Sequence, residues 1–339
     1  MIGSHVTPKF YLEQFAIKAM PKAKTGKLWA YSVDAPTRHG TAKGEGVENG
    51  YFGMPTEGGR LNEVLEYQLA SLENRANDVL VMAPHETFVW SNGYRKIMAD
   101  YVGLLYARTK TRRNATAWIS GRVSQDLLRL VNDEHFMSEL ADEYSKVFNE
   151  RVDVSILTNS LKAAAHEVVT PDDQRKFFLS ELLYIAKWLS EEILLRRPWQ
   201  VWKAPEGEQF ITSDNPVVTM FPIDGDFAPG FGFNARGVLI ACPLNWRSCL
   251  VIGVADNKSF KEVNTETLDR VNEIQVRCMF QKVYSHDRSS QVETAVREYG
   301  ATTKFGENAF IVTGDFLPKL KEFMRNYARQ KASKKSSEG

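Results

Sequence analysis

The residues best suited to chemistry lie between two apolar runs, at Thr212-Ser213-Asp214-Asn215-Pro216. Phe210-Ile211 before them and Val217-Val218 after them have strand character. A hydroxyl, a carboxylate and an amide are thus expected at the end of a buried strand. Pro216 fixes its own φ and biases Asn215 toward extended backbone, so these side chains are held in place. Asp214 is a candidate catalytic residue and metal ligand. Ser213 and Asn215 are candidates to orient that carboxylate or a substrate. The same residues also make an ordinary rigid turn, and the sequence leaves both readings open.

Other candidates lie far away along the chain. His5 stands just before Thr7-Pro8, and imidazole is the side chain that titrates near neutral pH. Glu66 and Glu73 are seven residues apart, two turns along one helix face, so together with Asp214 they offer oxygen ligands to Mg²⁺ or Mn²⁺. Arg108-Thr-Lys-Thr-Arg112-Arg113 places four cations in six residues. Guanidinium forks grip phosphate oxygens in pairs, which makes Arg108 and Arg112 candidates for charge stabilisation and Arg113 one for substrate binding. The plainer explanation of the same run is a basic helix C-terminus facing the dipole. For the two glutamates it is a solvated acidic flank, and for His5 a packed residue of an N-terminal arm.

These residues need elements to position them. Thr7-Pro8 opens a short helix expected to stop before Pro21. Lys27–Val33 alternates as a strand, and residues 34–60 form an irregular crossing with a short strand near Tyr51-Phe52. Apolar period 3.6 predicts helices over 61–83, from Ser91 to about Lys110, and from Pro171 to Arg197. Residues 119–150 are a more polar helical region, and 151–171 show no clear pattern. After Pro198 strands dominate: 199–203, 209–212, 217–220, a hairpin over 237–254, and 281–285, with one helix over 264–277. A helix is expected over 316–330 and a disordered basic tail over 331–339. The expected fold is α+β, with an N-terminal helical half packed on a mostly antiparallel C-terminal sheet. It is read as one compact unit over 1–330, comprising an arm and strand (1–60), a helical part (61–197) and a sheet part (198–315).

Composition narrows the function. The chain has 339 residues, 43% hydrophobic and 25% charged, with net charge +1. It carries no global field for nucleic acid or an acidic membrane, although a local basic groove is compatible with that balance. Three cysteines in apolar sequence read as reduced core residues of a cytoplasmic protein. No signal peptide and no membrane span are expected. The phosphate loop, dinucleotide fingerprint, Gly-x-Ser-x-Gly elbow and His-Glu-x-x-His zinc helix are all missing from the sequence. Arg113-Asn-Ala-Thr-Ala-Trp118 lacks the histidine that a HEPN ribonuclease motif requires.

Two motifs carry a family resemblance. His5-x-x-Pro8-x-Phe10-Tyr11-Leu12-x-x-Phe15 and Phe210-Ile-Thr-Ser-Asp-Asn-Pro-Val217 resemble the opening and central motifs of a mostly bacterial group known as domain of unknown function 4238. Glu66, Glu73, Arg108-Thr-x-x-Arg112 and Val283-Tyr284-Ser285 fit the same layout. The resemblance implies that these residues belong together and implies no reaction. Three readings follow. One is a metal-dependent phosphodiester hydrolase, nuclease-like, in a phage-defence or toxin-like setting. The second is a binding or sensing module for a nucleotide or RNA, without turnover. In the third, an Asp–Arg constellation is purely structural.

Overall fold

The computed structural model describes residues 3–17, 26–55, 61–62, 64–148, 151–167, 171–223, 226–229, 232–256 and 258–300. The fold is α+β, with helices mostly in the first half of the chain and the larger sheet in the second. Strand β1 (Gly3–His5) leads into α1 (Lys9–Leu12) and then β2 (Lys27–Ser32), β3 (Arg38–Thr41), β4 (Val47–Asn49), β5 (Met54–Pro55) and β6 (Leu61–Asn62). The helices α2 (Val64–Met82), α3 (Asn92–Ala107), α4 (Lys110–Leu130), α5 (Glu134–Phe148), α6 (Val154–Glu167) and α7 (Pro171–Trp188) follow. Then come β7 (Trp199–Lys203), β8 (Thr212–Ser213), β9 (Val218–Ile223), β10 (Asp226–Pro229), β11 (Leu239–Asn245), β12 (Ser248–Ile252) and β13 (Phe260–Glu262). The described chain ends with α8 (Thr265–Cys278), β14 (Lys282–Ser285) and α9 (Ser290–Tyr299).

Two sheets carry the architecture. The larger runs β10-β9-β11-β12-β7-β13 and is antiparallel except for the β13–β7 pair. The smaller runs β3-β2-β14-β8, all antiparallel, so the early strand at Lys27 returns beside the late one at Lys282. β1 pairs with β4 in a separate ribbon.

Residues 3–114 and 176–300 belong to one compact unit and residues 115–175 to a second. The helical region expected over 61–197 is therefore shared between them. In the first unit, Tyr11, Leu12 and Phe15 of the N-terminal turn, Val79 of α2, Val102 of α3 and Leu250 of β12 share one buried core. The second has its own small core of Val131, Phe136, Met137 and Leu140. The more polar sequence of α4 and α5 accounts for that modest cluster.

Several local expectations need correction. The first helix is one turn, and Pro8 occupies its N-cap without a side-chain cap bond. It continues as a 3₁₀ turn over Glu13–Phe15, after which Ala16 is extended. Tyr51 and Phe52 lie in a turn. The helix expected from 91 to 110 stops at Ala107, and a new helix begins at Lys110. The helix expected to reach Arg197 becomes π-helical over Leu189–Leu194. Residues 154–167 and 290–299, for which no element was expected, are helices. The expected stop before Pro21, the helix over 316–330 and the tail over 331–339 fall outside the described residues.

Candidate functional site

The Ser-Asp-Asn turn lies at the end of a short strand, as the sequence suggests. β8 pairs with β14, placing Ser213 opposite Val283. Asp214 follows, and its carboxylate accepts three backbone N–H groups, from Phe280 (2.8 Å), Gln281 (2.8 Å) and Lys282 (3.0 Å). The Asp214 N–H donates back to the Lys282 carbonyl at 3.0 Å. Asp214 therefore caps the chain where α8 gives way to β14. Burial pushes its carboxyl up to about 6, against the pull of those three N–H groups and the charge of Lys110.

Ser213 and Asn215 turn toward α8. Ser213 Oγ donates to Gln275 Oε1 (2.9 Å), Gln275 Nε2 donates to the Pro216 carbonyl (3.0 Å), and Asn215 Nδ2 donates to the Cys278 carbonyl (2.8 Å). Their substrate-binding role was expected from type and position. Ser213 Oγ and Asn215 Nδ2 hold a strand end on a helix, while Asn215 Oδ1 is buried with no hydrogen-bond partner among the described residues.

A second cluster forms at the N-terminus. Val6 and Thr7 both donate to the Gly46 carbonyl, and Gly46 has φ +65, so β1 lies against the loop before β4. Arg108, 2% exposed, follows the last residue of α3. Its Nη1 donates to Glu73 Oε1, its Nη2 donates to the His5 carbonyl, and its guanidinium stacks over Phe52 at 5.0 Å. Ser4 Oγ donates to Glu66 Oε1. The two glutamates, on one face of α2, thus both secure β1: Glu66 through Ser4, and Glu73 through Arg108. This is the reason that spacing matters here.

His5 itself is half-buried. Desolvation first, then the neighbouring Arg108, lower its pKa, while Glu73 works in the other direction. Its surroundings thus favour the neutral imidazole. His5 Nδ1, Arg108 Nε and the Tyr101 hydroxyl are buried with no hydrogen-bond partner among the described residues. The Tyr101 phenol feels both Glu73 and Arg108.

The basic run forms a corner between two helices. Thr109 Oγ1 accepts the Arg112 N–H (3.1 Å) and donates to the Tyr106 carbonyl (3.1 Å), which ends one helix and starts the next. Lys110, Arg112 and Arg113 thus occupy the N-terminal turn of α4, which has no acidic residue. The dipole argument from the sequence reverses sign, because these cations add to the positive end of a helix. Two acids answer them. Glu48 of β4 meets Lys110 at 2.6 Å and Arg113 at 3.7 Å, and Glu181 of α7 meets Arg112 at 4.0 Å. Arg113 also stacks over Tyr51 at 5.0 Å.

The structure therefore gathers His5, Arg108, Glu73 and, through Ser4, Glu66. Lys110 and Arg113 of α4 reach, through Glu48, the strand paired with that of His5, and Ser213 and Asn215 bond to α8. Arg108, expected to meet substrate, is occupied by protein partners on both terminal nitrogens. Among the described residues no group of three or more His, Cys, Asp or Glu is placed to hold a metal ion. Of the residues expected to hold Mg²⁺ or Mn²⁺, Glu66 accepts a hydrogen bond from Ser4, Glu73 one from Arg108, and Asp214 three from the 280–282 backbone. Sequence reasoning missed Glu48, which sits on a three-residue strand in a polar crossing and gives no periodic signal. Lys110 stood inside the basic run, but its role depended on where the helix breaks.

No curated protein and no solved structure matches this chain. A family model described as "Protein of unknown function (DUF4238)" matches residues 4–289, a span that takes in Ser4 and His5 of β1, the α2 glutamates, the α3–α4 corner, the Asp214 cap and β14. The chain belongs to the DUF4238 family.

Proposed function

We propose that the start of α4 binds phosphate groups of a nucleotide or nucleic acid. The observation that carries this reading is the charge pattern of one helix turn. Lys110, Arg112 and Arg113 crowd a helix N-terminus with no acid in its first turn, an arrangement that costs helix stability and attracts an anion. Thr111 Oγ1 and Arg112 Nε are buried there with no partner among the described residues. A phosphate would displace Glu48 from Lys110 and Arg113 and offer the guanidinium two oxygens. Tyr51, stacked on Arg113, would keep that fork in plane.

Phosphodiester hydrolysis is the second reading, and His5 favours it. A half-buried imidazole whose pKa is lowered by burial and by Arg108 suits a general base. It would take a proton from water as the water oxygen bonds to phosphorus and the ester P–O bond breaks, with a solvent water giving the departing oxygen its proton. Arg108 would then be a positioning residue, holding the His5 backbone without touching substrate.

The test is a binding and turnover assay on the full chain, using ATP and a 5′-labelled 12-nucleotide RNA, each with EDTA, Mg²⁺ or Mn²⁺. Lys110→Ala/Arg113→Ala should weaken binding by about tenfold or more and flatten its salt dependence. His5→Ala should remove turnover and leave binding intact. Binding unaffected by the double substitution would sink the phosphate reading. Turnover that survives His5→Ala would sink the catalytic one.

A further inference from the structure

Between α8, α9 and the segment Gly207–Ile211 lies an open groove of about 1040 Å³. None of the residues discussed above as candidate site residues lines it. Its apolar floor is presented by the half-buried Ala295 and Tyr299, over the buried Ile211, Val276 and Val292. Its rim is acidic, with Glu208, Glu266, Asp269, Asp287 and Glu298.

The rim acids have no ion-pair partner among the described residues. The two arginines that line the groove are already paired. Arg270 meets Asp226 (3.1 Å) and Glu273 (3.2 Å), and Arg288 meets Glu293 (3.0 Å) and stacks over Trp29 at 5.3 Å. Glu273 also meets Arg277 at 2.5 Å. The five rim acids make no side-chain ion pair with a described residue. Glu266 has a local explanation, because it stands in the first turn of α8 and complements that helix dipole. Glu298 has the opposite relation to its helix. It lies in the last turn of α9, where a carboxylate opposes the dipole and a cation is preferred. Asp269 is inside α8, beyond its first turn.

We propose that this groove docks a basic, amphipathic peptide segment of a partner protein. Apolar side chains of the segment would meet the floor while its lysines or arginines meet the rim. The acids extend along the groove instead of converging, and no three-donor metal group exists among the described residues, so a lone divalent cation fits poorly. An acidic rim repels nucleic acid. The α8 residues that line the groove run from Thr265 to Val276, about 16 Å of helix at its usual rise. About five residues of extended peptide span that length.

The test is fluorescence anisotropy of the full chain with three labelled 12-residue peptides, of alternating Lys/Leu, Lys/Ser and Glu/Leu. The Lys/Leu peptide should bind, and Lys/Ser and Glu/Leu should bind at least about tenfold more weakly. Asp269→Lys/Glu298→Lys should weaken Lys/Leu binding about tenfold, while the off-groove reversal Asp34→Lys leaves it unchanged. Should the double reversal fail to fold, Asp269→Asn/Glu298→Gln reads the same dependence with unaltered shape. The proposal is overturned if Lys/Leu and Lys/Ser bind alike, or if the groove variants bind as the unaltered chain does.

Discussion

Replacing Asp214 by Asn tests how the capped turn is held. The carboxylate accepts three backbone N–H groups, at 2.8, 2.8 and 3.0 Å. Hydrogen bonds to charged groups contribute about 1.5–3 kcal/mol each, and donors left exposed recover most of that from water. Gln281 is exposed, whereas Phe280 and Lys282 are partly buried. Asp214→Ala should thus cost about 2–4 kcal/mol. Asp214→Asn keeps one acceptor oxygen and should cost less. Burial works against the ionised carboxylate, holding it at about 6 where 3.8 is ordinary. The folded chain therefore binds this proton more tightly than the unfolded chain does. The stability contributed by Asp214 is full below the unfolded value, falls as pH rises toward 6, and is level above it. Integrated between pH 4.5 and 7.5, the loss is about 2 kcal/mol. Asn does not titrate, so the gap between the native chain and Asp214→Asn should shrink by that amount across this range. Urea unfolding followed by tryptophan fluorescence at several pH values measures it. A gap that stays flat or widens with pH would mean that the three N–H groups outweigh burial and hold the carboxyl at or below its ordinary value, and the reasoning would be refuted.

Other expected outcomes are as direct. Arg108→Leu leaves Glu73 and the His5 carbonyl without their shared donor, and should lower stability by about 3–5 kcal/mol in the same unfolding assay. Gly103→Ala puts a Cβ 2.3 Å from the Ala186 carbonyl oxygen, a backbone atom that cannot swing away; a clear drop in Tm is expected, by the 1–3 kcal/mol typical of overpacking or about that. His5 should titrate below its ordinary value by NMR, and lower still in Glu73→Gln, because Glu73 is the group that raises it; a rise in that variant would contradict the assigned field.

The sequence was most informative where the determinant was local. The 3.6-residue period of α2 placed Glu66 and Glu73 on one face before any partner was known, and the structure uses that face to grip β1. The hairpin of β11 and β12, the helix α8 and the strand β14 were legible for the same reason. The break between α3 and α4 was not, since no Gly or Pro marks it. Thr109 makes the corner by hydrogen-bonding in both directions, and threonine serves a helix interior or a cap with little difference in local pattern. One misplaced boundary turned a basic C-terminus into a basic N-terminus and changed what the run attracts.

Residue types and short-range periodicity established an α+β chain, a polar turn at Asp214 and a set of charged candidates far apart in number. Tertiary structure alone decided their partners. The donors that claim Asp214 are 66 to 68 residues away, and Arg108 reaches back 103 residues to the His5 carbonyl. A carboxylate satisfied by backbone N–H groups and one poised to bind a ligand look identical in sequence. The difference lies in which distant backbone is folded against it.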